Sequence, residues 1–530
     1  MKKEKQSRRE FLQTSAAGIA AITLMKDTKA AGTENRKAGA ITFLEPHAEL
    51  NETTISDLQA KMRSGEISAR KIAEMYLERI KEIDPKLCSV IEINPDALAI
   101  ADKMDKERKK GKTRSALHGI PVLIKDNIET RDAMKTTAGS LALVDAPAPK
   151  NDAFIAKKLR TAGAVILGKT NLSEWANFRS TKSISGWSGR GGQANNPYIL
   201  DKNPCGSSAG SGVAISANLA AVAIGTETNG SIICPATRNG IVGIKPTLGL
   251  ISRSGIIPIA HTQDTAGPMA RTVTDAAILL GALIGRDKSD GITGESKKGL
   301  KDYTKFLDAD GLRGARIGVA RQFLGNNETV KKMMENHFET LKTAGATLID
   351  VTFPVDYGKL GDDRLLVLEY EFKTDLNKYL AARGAKYKTL ADLIKFNEEN
   401  KTTEMPLFGQ EIFEQSQAKG ELTDKAYLEA LEKVKRATRE DGIDAVVAKD
   451  KLDAIVAPAG GATWSIAAVA GYPYITVPAG FGADGLPVGI GFFGRAFSEP
   501  QLIKFAYAFE QKTKARRTPE FLPTFNAPEV

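Results

Sequence analysis

Histidine, cysteine and tryptophan are scarce in this chain, which has 4, 3 and 3 of them in 530 residues. Cys88, Cys205 and Cys234 show no C-x-x-C spacing. That excludes the usual zinc cages and a multi-bridge disulfide framework, and leaves room for one bridge at most. Cys205 and Cys234 have no histidine nearby in sequence to form a Cys–His pair, so both read as small buried residues. The last histidine, His337, comes too early for a hydrolase whose general base is a late histidine. His118 and His261 stand in motif-bearing segments and read as hydrogen-bonded structural groups. Positive charge is not concentrated either. Of the net charge of +10, four charges fall in residues 1–31, and the rest is too diffuse for a nucleic-acid surface. Internal repeats and low-complexity blocks are absent.

What the N-terminus does contain is an address. Ser7-Arg8-Arg9-Glu10-Phe11-Leu12 follows a basic start and precedes the mildly apolar run 14–25. That run is too short for a bilayer span, which takes about 20 residues. The pattern resembles a twin-arginine export signal, with Ala30 and Ala31 suited to a nearby cleavage site. The expectation is a signal over 1–31, membrane contact only during export, and a bacterial protein working in the periplasm or outside the cell.

Beyond a linker-like stretch, apolar strands alternate with helical segments, which indicates an α/β fold. Thr54-Ile55-Ser56-Asp57 has capping-box form, and the spacing that follows predicts two helices over 54–83 and a third over 95–110. Strands are predicted at 164–167, up to 224, at 241–244, 316–319, 346–351, 453–458 and 474–478. Residues 310–450 read as a helix-rich covering region within one domain over 32–530. Leu366, Tyr370, Phe372 and Leu376 are its inward positions. The run G-I-P-V-L-I delivers Lys125 at a strand end, where side chains face a crevice and a desolvated lysine can serve as a neutral base.

The richest stretch is 203–236. Two Gly/Ser-dense turns, G-S-S-A-G-S at 206–211 and G-T-E-T-N-G-S-I at 225–232, flank an apolar insert. A flexible linker would not contain that insert. Gly206 to Gly210 also fits G-x-S-x-G, with Ser208 as nucleophile, but residues 198–205 are polar and Pro-interrupted where that motif needs a strand. Ser68-Ala69-Arg70-Lys71 fits S-x-x-K, yet it opens an amphipathic helix and no S-D-N or K-T-G follows. Ser208, Trp175 and Trp187 are the candidate substrate contacts, with ordinary packing the competing reading for the tryptophans.

Together with Asn196-Pro197, G-I-K-P-T at 243–247, D-T-A-G-P-M-A-R at 264–271, G-Y-P at 471–473 and G-L-P-V-G at 485–489, these motifs resemble the amidase signature family. The resemblance runs from about residue 54 to 510. It implies one α/β domain with a mixed central sheet between helices, and hydrolysis of carboxamide C–N bonds through an acyl-enzyme without metal or organic cofactor. Carried over by motif, it implies Ser231 as nucleophile, Ser207 as bridging serine after a cis peptide at Gly206–Ser207, and Lys125 as base. The backbone N–H groups of Thr228, Asn229, Gly230 and Ser231 would form the oxyanion hole. The family commonly reads G-T-D-x-G-G-S-I-R; here Glu227, Asn229 and Ile233 replace Asp, Gly and Arg. These departures, with N-L-S-E-W-A-N-F-R at 171–179, S-G-W at 185–187 and G-I-I-P-I at 255–259, resemble the exported peptide amidase branch, which removes C-terminal amides of peptides. Residues 459–465 look shortened relative to that branch.

The expected partner is therefore a small-molecule or peptide amide. Two other readings compete. One is the glutaminase subunit of a tRNA-dependent amidotransferase, against which the export signal argues. The other is an inactive amide-binding homologue, against which Lys125, Ser207 and Ser231 together argue.

Overall fold

Apolar runs without alternation become the middle of one large sheet, because strands covered by helices on both faces have no water-facing side. The computed structural model describes residues 46–525. In chain order the first strands are β1 (Val90–Ile93), β2 (Pro121–Lys125) and β3 (Val165–Thr170). A small ribbon of β4 (Trp187–Ser188) and β5 (Gly192–Gln193) precedes β6 (Val222–Glu227), β7 (Val242–Lys245) and β8 (Thr265–Ala270). The C-terminal half adds β9 (Arg316–Val319), β10 (Thr347–Asp350), β11 (Ala454–Pro458), β12 (Tyr474–Phe481) and β13 (Pro487–Phe493). Eleven of these form one sheet in the order β1-β3-β2-β6-β8-β7-β12-β13-β11-β9-β10.

The sheet is mixed, as expected. β3, β2 and β6 run parallel, β8 to β13 alternate, and β11, β9 and β10 are parallel again. β2, β3 and β6 are buried at every position. β1, β8 and β13 of the large sheet escaped the sequence reading, as did the ribbon strands β4 and β5. β8 contains Gly267 and Pro268, both strand breakers, yet it is paired on both sides by β6 and β7. β13 carries Gly489 and Gly491 between β12 and β11. In both, position within the sheet overrides intrinsic propensity.

The helices follow their signals. Thr54 and Asp57 form the capping box of Ile55–Ser64. Ser68 Oγ accepts the Lys71 backbone N–H at 3.0 Å at the start of Ala69–Ile83, so the S-x-x-K match is a helix cap. The third helix is Ala97–Lys109. The described residues belong to one compact unit; the expected signal over 1–31 lies outside them. A second apolar cluster joins the long helix Gly361–Arg383, through Phe372, Leu376 and Leu380, to Trp175, Phe178, Ile257 and Ile259. Packing of that kind places part of the helical covering region beside the sheet edge where β2 and β6 end.

Candidate active site

β2 ends on Lys125 and β6 ends on Glu227, paired in parallel from Val122↔Val222 to Ile124↔Ile224. Both carboxyl ends therefore open on one edge, where α/β sheets bind ligands. The helix Ala209–Ser216 begins directly after Ser207 and Ser208, and the short helix Ile233–Arg238 begins two residues after Ser231.

Lys125 is fully buried. Its Nζ donates to Ser207 Oγ at 2.8 Å, Thr226 Oγ1 at 2.9 Å and Ser208 Oγ at 3.1 Å, with the Thr226 carbonyl at 3.3 Å. All four partners are uncharged oxygens. Loss of water disfavours the ammonium, and the more distant Asp264 and Glu227 offset only part of that, so the pKa of Lys125 falls to about 7. A neutral amine keeps a lone pair that can take a hydroxyl proton.

Ser207 and Ser208 are likewise buried, and the Gly206–Ser207 peptide is cis. A side chain at Gly206 would collide with Ser173 Oγ. Ser208 is a rivet. Its Oγ donates to the Thr226 carbonyl at 3.0 Å and accepts the Thr226 N–H at 3.1 Å, while its own N–H donates to the Ser231 carbonyl at 3.1 Å. It faces Lys125 and β6, and, like Ser207 and Ser231, is not among the residues lining the cavity beside the turns.

Ser231 keeps a small exposed edge, at 8%. The left-handed angle of its turn falls at Gly230 (φ +80°), where a side chain would collide with the Trp464 indole. Asn229 is not left-handed; its Oδ1 accepts the Ser465 hydroxyl at 2.7 Å, so the helix Gly461–Ala470 braces the turn. Glu227 Oε2 accepts the Ile232 N–H at 2.7 Å and the Ile233 N–H at 3.0 Å. Burial raises the pKa of this carboxyl, and Lys245 and the backbone amides pull it back. Thr228 Oγ1 donates to Asp264 Oδ1 at 2.6 Å, and Asp264 Oδ2 accepts the N–H groups of Ile259 at 2.8 Å and Ala260 at 2.9 Å. Asp264 thus ties the Thr228–Ser231 turn to the wall beside it. Burial raises its pKa to about 6.

Cys205 and Cys234 form the one disulfide for which the sequence left room, with Cα atoms 5.8 Å apart, and are half-buried where small buried residues were expected. Cys205 precedes Ser207 by two positions and Cys234 follows Ser231 by three. The bridge clasps the two serine turns together. Neither spacing nor neighbours could have announced it, because the two cysteines meet only after β6 returns the chain.

A cavity of about 450 Å³ opens beside these turns. Its buried side is Asn127 and 226–228, its wall is 255–259, and its exposed side includes Asp375 and Lys378 of the long helix. Trp175 and Trp187 do not line it. Trp175, Ala176 and Asn177 are consecutively left-handed, which is unfavourable by roughly 1–2 kcal/mol per residue. That backbone turns Trp175 into the second apolar cluster against Phe413 and leaves Ala176 on the cavity. Trp187 packs edge-on against Phe408 and lies near the Arg179 guanidinium. Among the described residues, His261, Glu371 and Asp375 sit close enough to hold a cation. Their atoms are already engaged: His261 Nδ1 bonds Asp375 Oδ2 at 2.8 Å, and Glu371 accepts from Thr262 and Tyr427.

Comparison with known proteins agrees with this geometry. A family model described as Amidase matches residues 71–465. A probable amidase of Arabidopsis thaliana is 43% identical over 483 residues, covering 89% of this chain and 92% of that protein. A glutamyl-tRNA(Gln) amidotransferase subunit of Thermoanaerobacter pseudethanolicus is 35% identical over 503 residues, covering 89% of this chain and 99% of that protein. The native peptide amidase from Stenotrophomonas maltophilia has a TM-score of 0.86 and 50% identity, over 90% of this chain and 99% of that one. With the family model spanning most of its length, this chain belongs to the amidase signature family and is a hydrolase acting on amides.

Proposed function

We propose that the chain hydrolyses C-terminal carboxamides of peptides through an acyl-enzyme on Ser231, with Ser207 as relay and Lys125 as base. The observation that carries this reading is the 2.8 Å contact between Ser207 and the buried Lys125 amine, whose pKa burial lowers to about 7. Ser231 Oγ attacks the carboxamide carbon and its proton passes to Ser207, whose own proton passes to Lys125 Nζ. The carbonyl oxygen gains negative charge facing the backbone N–H groups of Thr228, Asn229, Gly230 and Ser231. Collapse breaks the C–N bond while Lys125 returns the proton through Ser207 to the departing nitrogen, and ammonia leaves. Water then attacks the ester on Ser231, activated by the same pair, and the free acid departs. The likeness to the Stenotrophomonas maltophilia peptide amidase supports the choice of peptide amides.

The test is ammonia release from an N-acylated amino-acid amide. Wild type should turn over, and Ser231→Ala should be slower by about 10³-fold or more. Equal, slow release by both would end the assignment and favour an inactive amide-binding homologue. A glutamine arm belongs in the same assay, because the relation to an amidotransferase subunit supports a glutaminase as the second reading. Preference for free glutamine over the blocked amide would favour it.

We further propose export by the twin-arginine route, on the Arg8-Arg9 sequence. Replacing both arginines by lysine should retain the protein in the cytoplasmic fraction. Unchanged export would remove this part of the reading.

A further inference from the structure

Thr228 and Asp264 continue a strand register past its last pair. β6 and β8 are antiparallel, and their pairing ends at Glu227↔Thr265. The next residues out, Thr228 and Asp264, therefore stand opposite each other, beyond the edge of the sheet. Thr228 opens the turn that leads to Ser231, and both residues line the cavity. Thr228 Oγ1 donates to Asp264 Oδ1 at 2.6 Å, a short charge-assisted bond. The other carboxylate oxygen is held by the N–H groups of Ile259 at 2.8 Å and Ala260 at 2.9 Å. The carboxylate is thus fixed to the wall before it reaches the turn.

Other parts of the turn have other anchors. Asn229 is held by Ser465, and the Ser231 carbonyl by the Ser208 N–H. At Thr228 the side chain is held by Asp264. A negative charge beside a developing oxyanion opposes it. The use of a carboxylate here therefore lies in the three hydrogen bonds that it accepts.

We propose that Asp264 is a positioning residue of the hydrolytic site: by gripping the Thr228 hydroxyl it keeps the backbone N–H groups of the turn aimed at the oxygen of the tetrahedral intermediate. The proposal rests on the acyl-enzyme reading with Ser231 and deepens it. The carbonyl oxygen gains its charge only as the carbon becomes tetrahedral. Loosening the grip therefore weakens the transition state more than the bound substrate.

The test is a double-mutant cycle on Thr228→Val and Asp264→Ala, with Asp264→Ser as the substitute if the latter fails to fold. Thr228→Val keeps the shape and removes the hydroxyl donor. It should lower kcat on N-acetyl-phenylalaninamide by about 10²-fold with KM nearly unchanged, and Thr228→Ser should restore most of the loss. Asp264→Ala should cost at least as much, and adding Thr228→Val to it should cost little more. Losses that multiply, or a KM that rises while kcat holds, overturn the proposal.

A binding arm keeps this test apart from the peptide-amide reading. N-acetyl-phenylalaninal is an aldehyde that traps the nucleophile. Ser231 Oγ bonds its carbonyl carbon, the C=O π pair moves onto oxygen, and the hydroxyl proton passes through Ser207 to Lys125. The inhibition constant should rise about as much as kcat falls in Thr228→Val. The dissociation constant of N-acetyl-phenylalaninamide on Ser231→Ala should stay the same with and without Thr228→Val. Parallel weakening of both compounds would mean a changed cavity and overturn the proposal. If wild type releases no ammonia from the blocked amide, the peptide-amide reading fails and the aldehyde still decides. Weaker aldehyde binding by Thr228→Val than by wild type supports Asp264; equal binding by the two, or binding by neither, overturns the proposal.

Discussion

Lys125 and Lys169 lie near the ends of the neighbouring parallel strands β2 and β3, and neither side chain reaches water. Lys125 pairs with Thr170, whereas Lys169 pairs with Ile124. That single step of register sends the two amines to opposite faces of the sheet. Lys169 donates to Thr136 Oγ1 at 2.9 Å and to the Ile128 carbonyl, in the field of Asp126, Asp132, Glu92 and Glu129. Lys125 instead touches three hydroxyls and a carbonyl. Burial lowers both pKa values, to about 7 for Lys125 and about 8 for Lys169. Lys245, at the end of β7, also falls to about 8, with Glu227 and Glu499 nearby. Burial alone therefore does not single out a base. The distinguishing feature of Lys125 is its contact with Ser207, the hydroxyl proposed as relay, whereas the hydroxyl that Lys169 meets is Thr136.

Methionine at each position would break the comparison most sharply. Lys125→Met should lower kcat by about 10²- to 10⁴-fold with little loss of thermal stability. Lys169→Met leaves the Thr136 hydroxyl and the Ile128 carbonyl without their buried donor, and should destabilise by about 1–3 kcal/mol while folded molecules retain most of their kcat. Matching activity losses at unchanged melting temperature would erase the distinction.

The disulfide joins the two serine turns beside Lys125, so a smaller effect belongs there. Cys205→Ser with Cys234→Ser should lower unfolding stability by about 3 kcal/mol in urea titrations, and reduce kcat as the serine turns separate. No change in midpoint would mean that the bridge holds nothing that packing does not already hold.

The smallest effect is continuous. Lys125 has a lowered pKa and must be neutral to accept a proton, so activity is lost below that value and present above it. kcat/KM should rise about tenfold per pH unit and level off near pH 7. A limb centred near pH 4 would point to a carboxylate instead, and Lys125 would then resemble Lys169.

Local chemistry made part of the site legible. G-I-P-V-L-I-K announces a buried strand ending in lysine, and the two Gly/Ser turns announce close backbone approach. Asp264 stood in a motif, but its bond to Thr228 spans 36 residues and no spacing rule reaches it. Trp175 and Trp187 were ambiguous because an aromatic beside a site motif packs inward or outward according to backbone angles, and three left-handed residues decided for Trp175. β8 was hidden by Gly267 and Pro268, whose propensity yields to pairing on both sides.

By itself, then, the sequence determined the α/β layering, the strand that presents Lys125 and the turns that present Ser207 and Ser231, since each follows from short-range pattern and backbone sterics. Only the tertiary structure decided that Lys125 meets Ser207 while Lys169 meets Thr136, that Cys205 bonds Cys234, and that Asp264 ties Thr228 to the cavity wall. Those outcomes depend on which groups share a low-dielectric space, and that is set by strand order and register across more than 80 residues of chain.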